Sequence, residues 1–339
     1  MTRIMLFVSF FLGMCGSAVS TSLSAISPEI IEAAKREGEM VWYGGGSGKE
    51  DDAVGEGFTK KYPTIRAKKF RIQSQNMIAR FEAESVSGKH VADIVRTTDW
   101  YVYVAKQKGL LMKYDSPERK YFGPEFKDSE GYYTALWKYL HVVAYNTTLV
   151  PKTDVPRSYQ DLLDPKWKGK IGFVDPVSAS GITWFVNQLR MRGEKEGLEF
   201  MKKLAAQDIS LRSSPQLLAS LVAAGELPIA LDLYGYQVEQ LKKRGAPINF
   251  VALEPAVVHT LYGGISKYAP HPNAAKLFMD YLLSEEGQRI YLSFDFEVTR
   301  QGLYPAWFPK GVKQFVSDPQ MDGERFNRYQ KMFRDVFAK

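Results

Sequence analysis

One cysteine, Cys15, occurs in 339 residues. That scarcity excludes a disulfide framework within the chain and, if Cys15 leaves with a leader, any thiol nucleophile. Histidine is nearly as scarce: His90, His141, His259 and His271 stand far apart. Neither a His-Glu-x-x-His helix nor a Gly-x-Ser-x-Gly elbow occurs, so two common hydrolase signatures are missing. No apolar run is long enough to span a bilayer. Lys and Arg exceed Asp and Glu by seven but are scattered beside acids, as in "KREGE" and "RGEKEG". No basic block interleaves with aromatics as a nucleic-acid face requires, so no nucleic-acid partner is expected.

Hydrophobic residues make up 45% and charged residues 24%, the balance of a globular protein with room for two domains. The first residues differ in kind. Arg3 precedes the short apolar run "IMLFVSFFLGM", and the small-residue stretch "CGSAVSTSLSA" follows, which together describe a secretory signal peptide over 1–20. Ala18-Val19-Ser20 is the expected cleavage site, with Thr21 as the new N-terminus. Lipid attachment at Cys15 is disfavoured because Met14 stands directly before the cysteine.

Beyond the leader, buried strands and helices alternate. "SPEIIEAAKREG" reads as a capped helix closed by Gly38, "EMVWYGG" as a strand, "KEDDAVGEGFTKKYP" as a helix and "VADIVRTTD" as a strand running into polar residues. This alternation predicts an α/β fold with a mainly parallel sheet. "SPERKYFGPEFKDSEGYY" reads as loop, "HVVAYNTTLVP" as a strand, and "NAAKLFMDYLLSEEGQRIY" as one long helix. A second α/β unit occupies roughly 142–258, and the space between two such units is a favoured ligand cleft.

Several strings, "VWYGGGSGKEDDAVGEGFTKKYP", "ADIVRTTD", "KGLLMKYDSP", "VVAYNT", "SYQDLLDPKWKGKIGFVDP" and "AAKLFMDYLLSEEGQRIY", resemble, in this order, the periplasmic substrate-binding proteins of ABC importers. The branch is solute-binding family one, which includes ferric-ion-binding proteins. The resemblance implies a two-lobed type II periplasmic-binding fold with an interdomain ligand cleft. Its parts would be a first lobe over 21–141, a second over 142–258, and a return over 259–339 with C-terminal helices packing across the lobes. The crossing segments would lie near His141–Asn146 and His259–Ile265. It further implies a monomeric periplasmic receptor that closes on a small solute and delivers it to a membrane permease, without cofactor or turnover.

Four loops fall where strands end and helices begin, the usual crevice position in open α/β sheets. The first, "WYGGGSGKE", has glycines for close backbone approach, with Gly45, Gly46 and Ser47 as candidate contacts. It is not a nucleotide loop, because Tyr43 stands where Walker A needs glycine and Glu50 where it needs Ser or Thr. In the second, Arg96 would clamp an anion with Thr97 and Thr98 beside it, or else pair with Asp99. In the third, Ser178, Ser180 and Gly181 open a helix; Ser214 adds to the set.

The fourth, "LDLYGYQ", offers Asp232 for an amino or hydroxyl group, with Tyr234 and Tyr236. Ferric-binding relatives carry adjacent tyrosines here, and this chain has Gly235 between them. A small organic anion or zwitterion, such as a carboxylate, phosphonate or phosphate ester, is therefore the expected solute. Transport of Fe(III) by Tyr236, Tyr234 and Asp99 with a synergistic anion is the alternative, and an exported enzyme on the same scaffold is a second.

Overall fold

The structure, a computed structural model, describes residues 27–45, 48–72, 74–175, 179–318, 320 and 323–337, with backbone alone for Gln75 and Ala179. The expected leader with Cys15 and Thr21, and the candidate contacts Gly46, Ser47 and Ser178, lie outside the described residues.

The chain opens with α1 (Pro28–Glu37), stopped by Gly38 at φ 73, a left-handed turn that glycine adopts without strain. Next come β1 (Glu39–Gly44), α2 (Lys49–Lys61), β2 (Arg66–Arg71), α3 (Ser74–Ser87), β3 (Ile94–Thr98), α4 (Asp99–Gln107) and β4 (Leu111–Met112). The stretch expected as loop holds two short 3-10 turns. There Arg119 Nη1 donates to the Tyr133 carbonyl and to Thr134 Oγ1. After β5 (Tyr133–Asn146) come β6 (Ile171–Val174), α5 (Ala179–Arg192), α6 (Glu194–Ala205), β7 (Ser210–Arg212), α7 (Pro215–Ala224), β8 (Ile229–Tyr234), α8 (Gly235–Lys243) and β9 (Ile248–Val251). The chain returns through β10 (Ala256–Ser266), α9 (Pro272–Leu283), α10 (Glu285–Ser293), β11 (Glu297–Val298), β12 (Gln314–Val316) and α11 (Gly323–Phe337). Among the described residues no helix is long and apolar enough to cross a membrane.

The sheet order is β2-β1-β3-β10-β5-β8-β6-β7, with the short strands β4, β9, β11 and β12 on β5 and β10. It is mixed rather than mainly parallel. The outer pairs β1–β2, β1–β3, β6–β7 and β6–β8 are parallel, whereas β10 and β5 run antiparallel to β3, to each other and to β8. The cause is topological: β5 and β10 carry the chain between the two halves of the sheet instead of closing a strand-helix-strand unit.

β5 is also longer than the expected strand, beginning at Tyr133. All but one of its residues are buried, so the alternation that marks a one-faced strand is missing from "YTALWKYL". The single helix expected over "NAAKLFMDYLLSEEGQRIY" is two, α9 and α10. Ser284 breaks it by taking an extended conformation and accepting from the Gly287 amide.

Helices cover both faces of each half. In the first lobe Trp42, Phe58, Trp137, Phe278 and Tyr291 fill one face, and Tyr43, Phe81, Val95, Tyr101 and Tyr262 the other. Trp137 and Tyr262 are core residues at 1% exposure each. In the second lobe Phe173, Phe185 and Leu189 pack under α11 through Phe333 and Phe337, while Val142, Leu218, Leu233 and Val238 form the opposite face. α11 also reaches the first lobe, where Phe326 stacks on Trp100 of α4 with ring centroids 4.6 Å apart.

Candidate functional site

β5 changes partners at one point. Up to Leu140 it pairs with β10, and from His141 onward it pairs with β8. This is where the halves of the sheet meet, and the chain places a buried polar network there. His141 Nδ1 bonds Asp232 Oδ1, and Ser180 Oγ donates to Asp232 Oδ2 at 2.7 Å. On the other side of the ring, His141 Nε2 lies 2.6 Å from His259 Nδ1 of β10.

Asp232, His141, His259 and Ser180 are all less than 5% exposed. Burial, and then the neighbouring His141, hold His259 well below the ordinary histidine range, so it is neutral. His141 faces the Asp232 carboxylate through Nδ1 and the neutral His259 through Nε2. Asp232 thus already has both carboxylate oxygens engaged within the chain, instead of holding them open for a solute amine. Ser180 is within hydrogen-bonding reach of the Tyr234 phenol. A methyl on Gly181 would meet the Val174 carbonyl at 2.7 Å and that of Asp175 at 2.9 Å, so this glycine is required by close packing of α5 against the end of β6. Ser214 caps α7, its Oγ accepting from the Leu217 amide.

In the first lobe the sequence expectation for Arg96 changes most. Its side chain is 1% exposed, and Nη2 donates to Asp51 Oδ1 at 2.5 Å while Nη1 donates to the Tyr291 hydroxyl at 2.8 Å. Burial works against the charge, but Asp51 more than offsets it and the guanidinium stays ionised. Arg96 is therefore an internal cation, and its carboxylate is Asp51 rather than Asp99. Gly44, beside it on β1, gives the guanidinium room.

Thr97 is buried against Tyr262 of β10, and Thr98 precedes α4 without capping it through its side chain. Asp99 accepts from the Thr260 amide at 3.0 Å, and burial raises it to about 6. Gly45 is half-buried at the end of β1.

The tyrosines of the fourth loop do come together. Tyr234 and Tyr236 stack with centroids 6.1 Å apart, and Tyr139 of β5 packs on both. Burial raises all three phenols, followed by Asp232 for Tyr234 and by Tyr236 for Tyr139; Glu50 and Glu297 add to the rise at Tyr236. The carboxylates that reach the tyrosine pair are thus Asp232, Glu50 and Glu297. Asp99, the carboxylate of the ferric set read from sequence, adds to the rise at Tyr262 and Tyr133.

A cavity of about 660 Å³ opens beside Tyr236, between the lobes. The first lobe contributes Lys49 and Glu50 at the start of α2 and Ser293–Phe296 from the last residue of α10 onward. The second contributes Gln216 and Ser220 of α7 and Tyr236, Gln237, Gln240, Lys243 and Arg244 of α8. Lys243 is paired with Asp295, whereas Lys49 and Arg244 have no ion-pair partner among the described residues.

Sequence reasoning missed Glu50 because it stands in an acidic run, "KEDD", that looks like a solvated first turn; in fact Glu50 and Asp51 are buried, at 4% and 0% exposure, and Asp52 alone of the three acids is exposed. It missed Lys243 and Arg244 because they close a helix, where basic residues are ordinary.

Comparison with known proteins agrees with this architecture. The family of bacterial extracellular solute-binding proteins matches residues 90–331. A major ferric iron-binding protein of Neisseria gonorrhoeae is 29% identical over 154 residues, 44% of this chain and 46% of that one. Iron-bound HitA of Pseudomonas aeruginosa superposes with a TM-score of 0.75 at 23% identity, covering 88% of this chain and 99% of that chain. The periplasmic binding protein AfuA of Actinobacillus pleuropneumoniae, with fructose-6-phosphate bound, superposes with a TM-score of 0.74 at 24% identity, covering 88% and 98%. The fold is the two-lobed type II periplasmic-binding fold, and the chain belongs to the bacterial extracellular solute-binding proteins.

Proposed function

We propose that the protein is a periplasmic receptor, exported by a cleaved signal peptide, that takes a small anionic or zwitterionic organic solute between its lobes and delivers it to the permease of an ABC importer. The observation that carries this reading is the cavity of about 660 Å³ between the lobes. That volume falls in the usual range for small-molecule sites, roughly 300–1,000 Å³. Two of its cations, Lys49 and Arg244, lack an internal ion pair among the described residues, one on each lobe. An anion bridging them would favour the closed form by the difference in its affinity for the two states. Gln216, Gln237, Gln240 and Ser220 supply neutral hydrogen-bonding groups for the rest of a polar solute.

The test is calorimetric titration with fructose 6-phosphate, an alkylphosphonate and citrate. At least one should bind, and Lys49→Gln with Arg244→Gln should weaken it by about 1.5–3 kcal/mol per lost charged hydrogen bond. Equal affinity in the double variant would remove these residues from the site.

A second reading, Fe(III) as the transported solute, is favoured by one observation: Tyr139, Tyr234 and Tyr236 cluster beside Glu50. Phenolates are hard donors suited to Fe(III), but this wall raises all three phenols, so the metal would have to displace tightly held protons. Iron-loaded protein would be coloured by phenolate-to-iron charge transfer, and a colourless protein that takes up no iron removes this reading.

A further inference from the structure

Outside the cavity lining lies a buried polar chain of Ser180, Asp232, His141 and His259. We propose that His141 and His259 are positioning residues for the solute wall of the second lobe, fixing through Asp232 the ring of Tyr234, on which the cavity-lining Tyr236 stacks. The proposal rests on the reading that the solute lies between the lobes.

Three observations support it. First, the links are continuous: His259 Nδ1 to His141 Nε2 at 2.6 Å, His141 Nδ1 to Asp232, and Asp232 to Ser180 Oγ at 2.7 Å, with Tyr234 in reach of Ser180. Second, Asp232 has φ 63, a left-handed conformation that a non-glycine residue keeps only when its surroundings hold it. Both of its carboxylate oxygens are held, one by each neighbour, and the irregularity it makes in β8 sets the direction of Tyr234, two residues later at the end of the strand. Third, the anchoring end is rigid. His259 stacks on Tyr139 with centroids 4.6 Å apart, and the two histidines sit on β10 and β5, the strands that run between the lobes. The wall facing the solute is thereby tied to both crossing strands at the point where β5 changes partners.

The chain is tested in the solute-free protein by histidine-selective ¹⁵N and backbone-amide NMR. His259 should be neutral, and His259→Ala should shift the Ser180 amide signal, to which His259 is joined through His141 and Asp232. Tyr234 is no reporter, because its ring lies 5.4 Å from that of His259. His259→Asn, which restores a hydrogen-bonding group near the Nδ1 position, should return the Ser180 signal towards its original place. His271→Ala, which removes an unrelated histidine paired with Asp93, should leave it unmoved. An unshifted Ser180 amide in folded His259→Ala overturns the proposal, as does failure of the asparagine variant to restore it.

Fructose 6-phosphate then serves as the binding probe. If it binds the parent protein, His259→Ala should weaken it about tenfold, roughly 1.4 kcal/mol. The loss should be non-additive with that of Ser180→Ala, and strictly additive losses contradict the positioning role. If it does not bind the parent protein, the solute reading loses sugar phosphates, while the NMR result still decides the network.

Discussion

Arg96 shows how a residue can be correctly singled out and wrongly employed. An arginine ending a buried strand is unusual, and the sequence supports either an anion clamp or a pair with nearby Asp99. What settles it is Asp51, 45 positions earlier in the chain, which α2 brings against the guanidinium. No local spacing encodes that meeting. Gly181 was legible as a helix-start residue, but the need for it lies in the Val174 and Asp175 carbonyls behind it. Tyr234 and Tyr236 were legible as neighbours, since two residues apart at a strand-to-helix turn keeps them close; Tyr139, arriving on β5, was not.

The prediction at this scale concerns Arg96→Ala, which would leave Asp51 as a buried charge without its partner. Loss of one member of such a pair costs about 3–5 kcal/mol. Urea denaturation should show that loss, and a stability change below about 1 kcal/mol would mean that the pair is not structural.

At the scale of elements, helices with capping signals were readable to within a residue or two, as α1 between Ser27 and Gly38 shows. The errors fell where burial erased the pattern, on β5, and where a capping serine interrupted an apolar run, at Ser284. α9 carries a consequence of that burial. Its Asp280 is fully buried and accepts from Tyr114 at 2.8 Å, and burial raises its carboxyl to about 6. An unfolded aspartate releases its proton near pH 4, so between about pH 4 and pH 6 the folded chain holds more protons than the unfolded one. This residue's contribution to stability therefore falls as pH rises through that window, by about 2–3 kcal/mol in all. Asp280→Asn should flatten the fall, as read from urea midpoints near pH 4 and pH 7. An unchanged pH profile in that variant would place Asp280 outside the linkage.

At the scale of the whole molecule, the two-lobed fold was legible because repeated strand-helix units and several family strings ran in order along the chain. The antiparallel centre of the sheet was not, because it depends on how β5 and β10 pass between lobes rather than on any local pattern. The same passage gathers the site: β5 brings Tyr139 and His141, β10 brings His259, and α2 and α8 face each other across the cavity.

The central claim is that this cavity takes a small organic anion or zwitterion. The most direct measurement is native mass spectrometry of the mature protein purified from its own compartment without refolding, followed by release and weighing of whatever is retained. The account predicts one organic anion or zwitterion per chain, released on unfolding and lost from the Lys49→Gln, Arg244→Gln variant. Stoichiometric iron, or an organic solute retained equally by that variant, would contradict it.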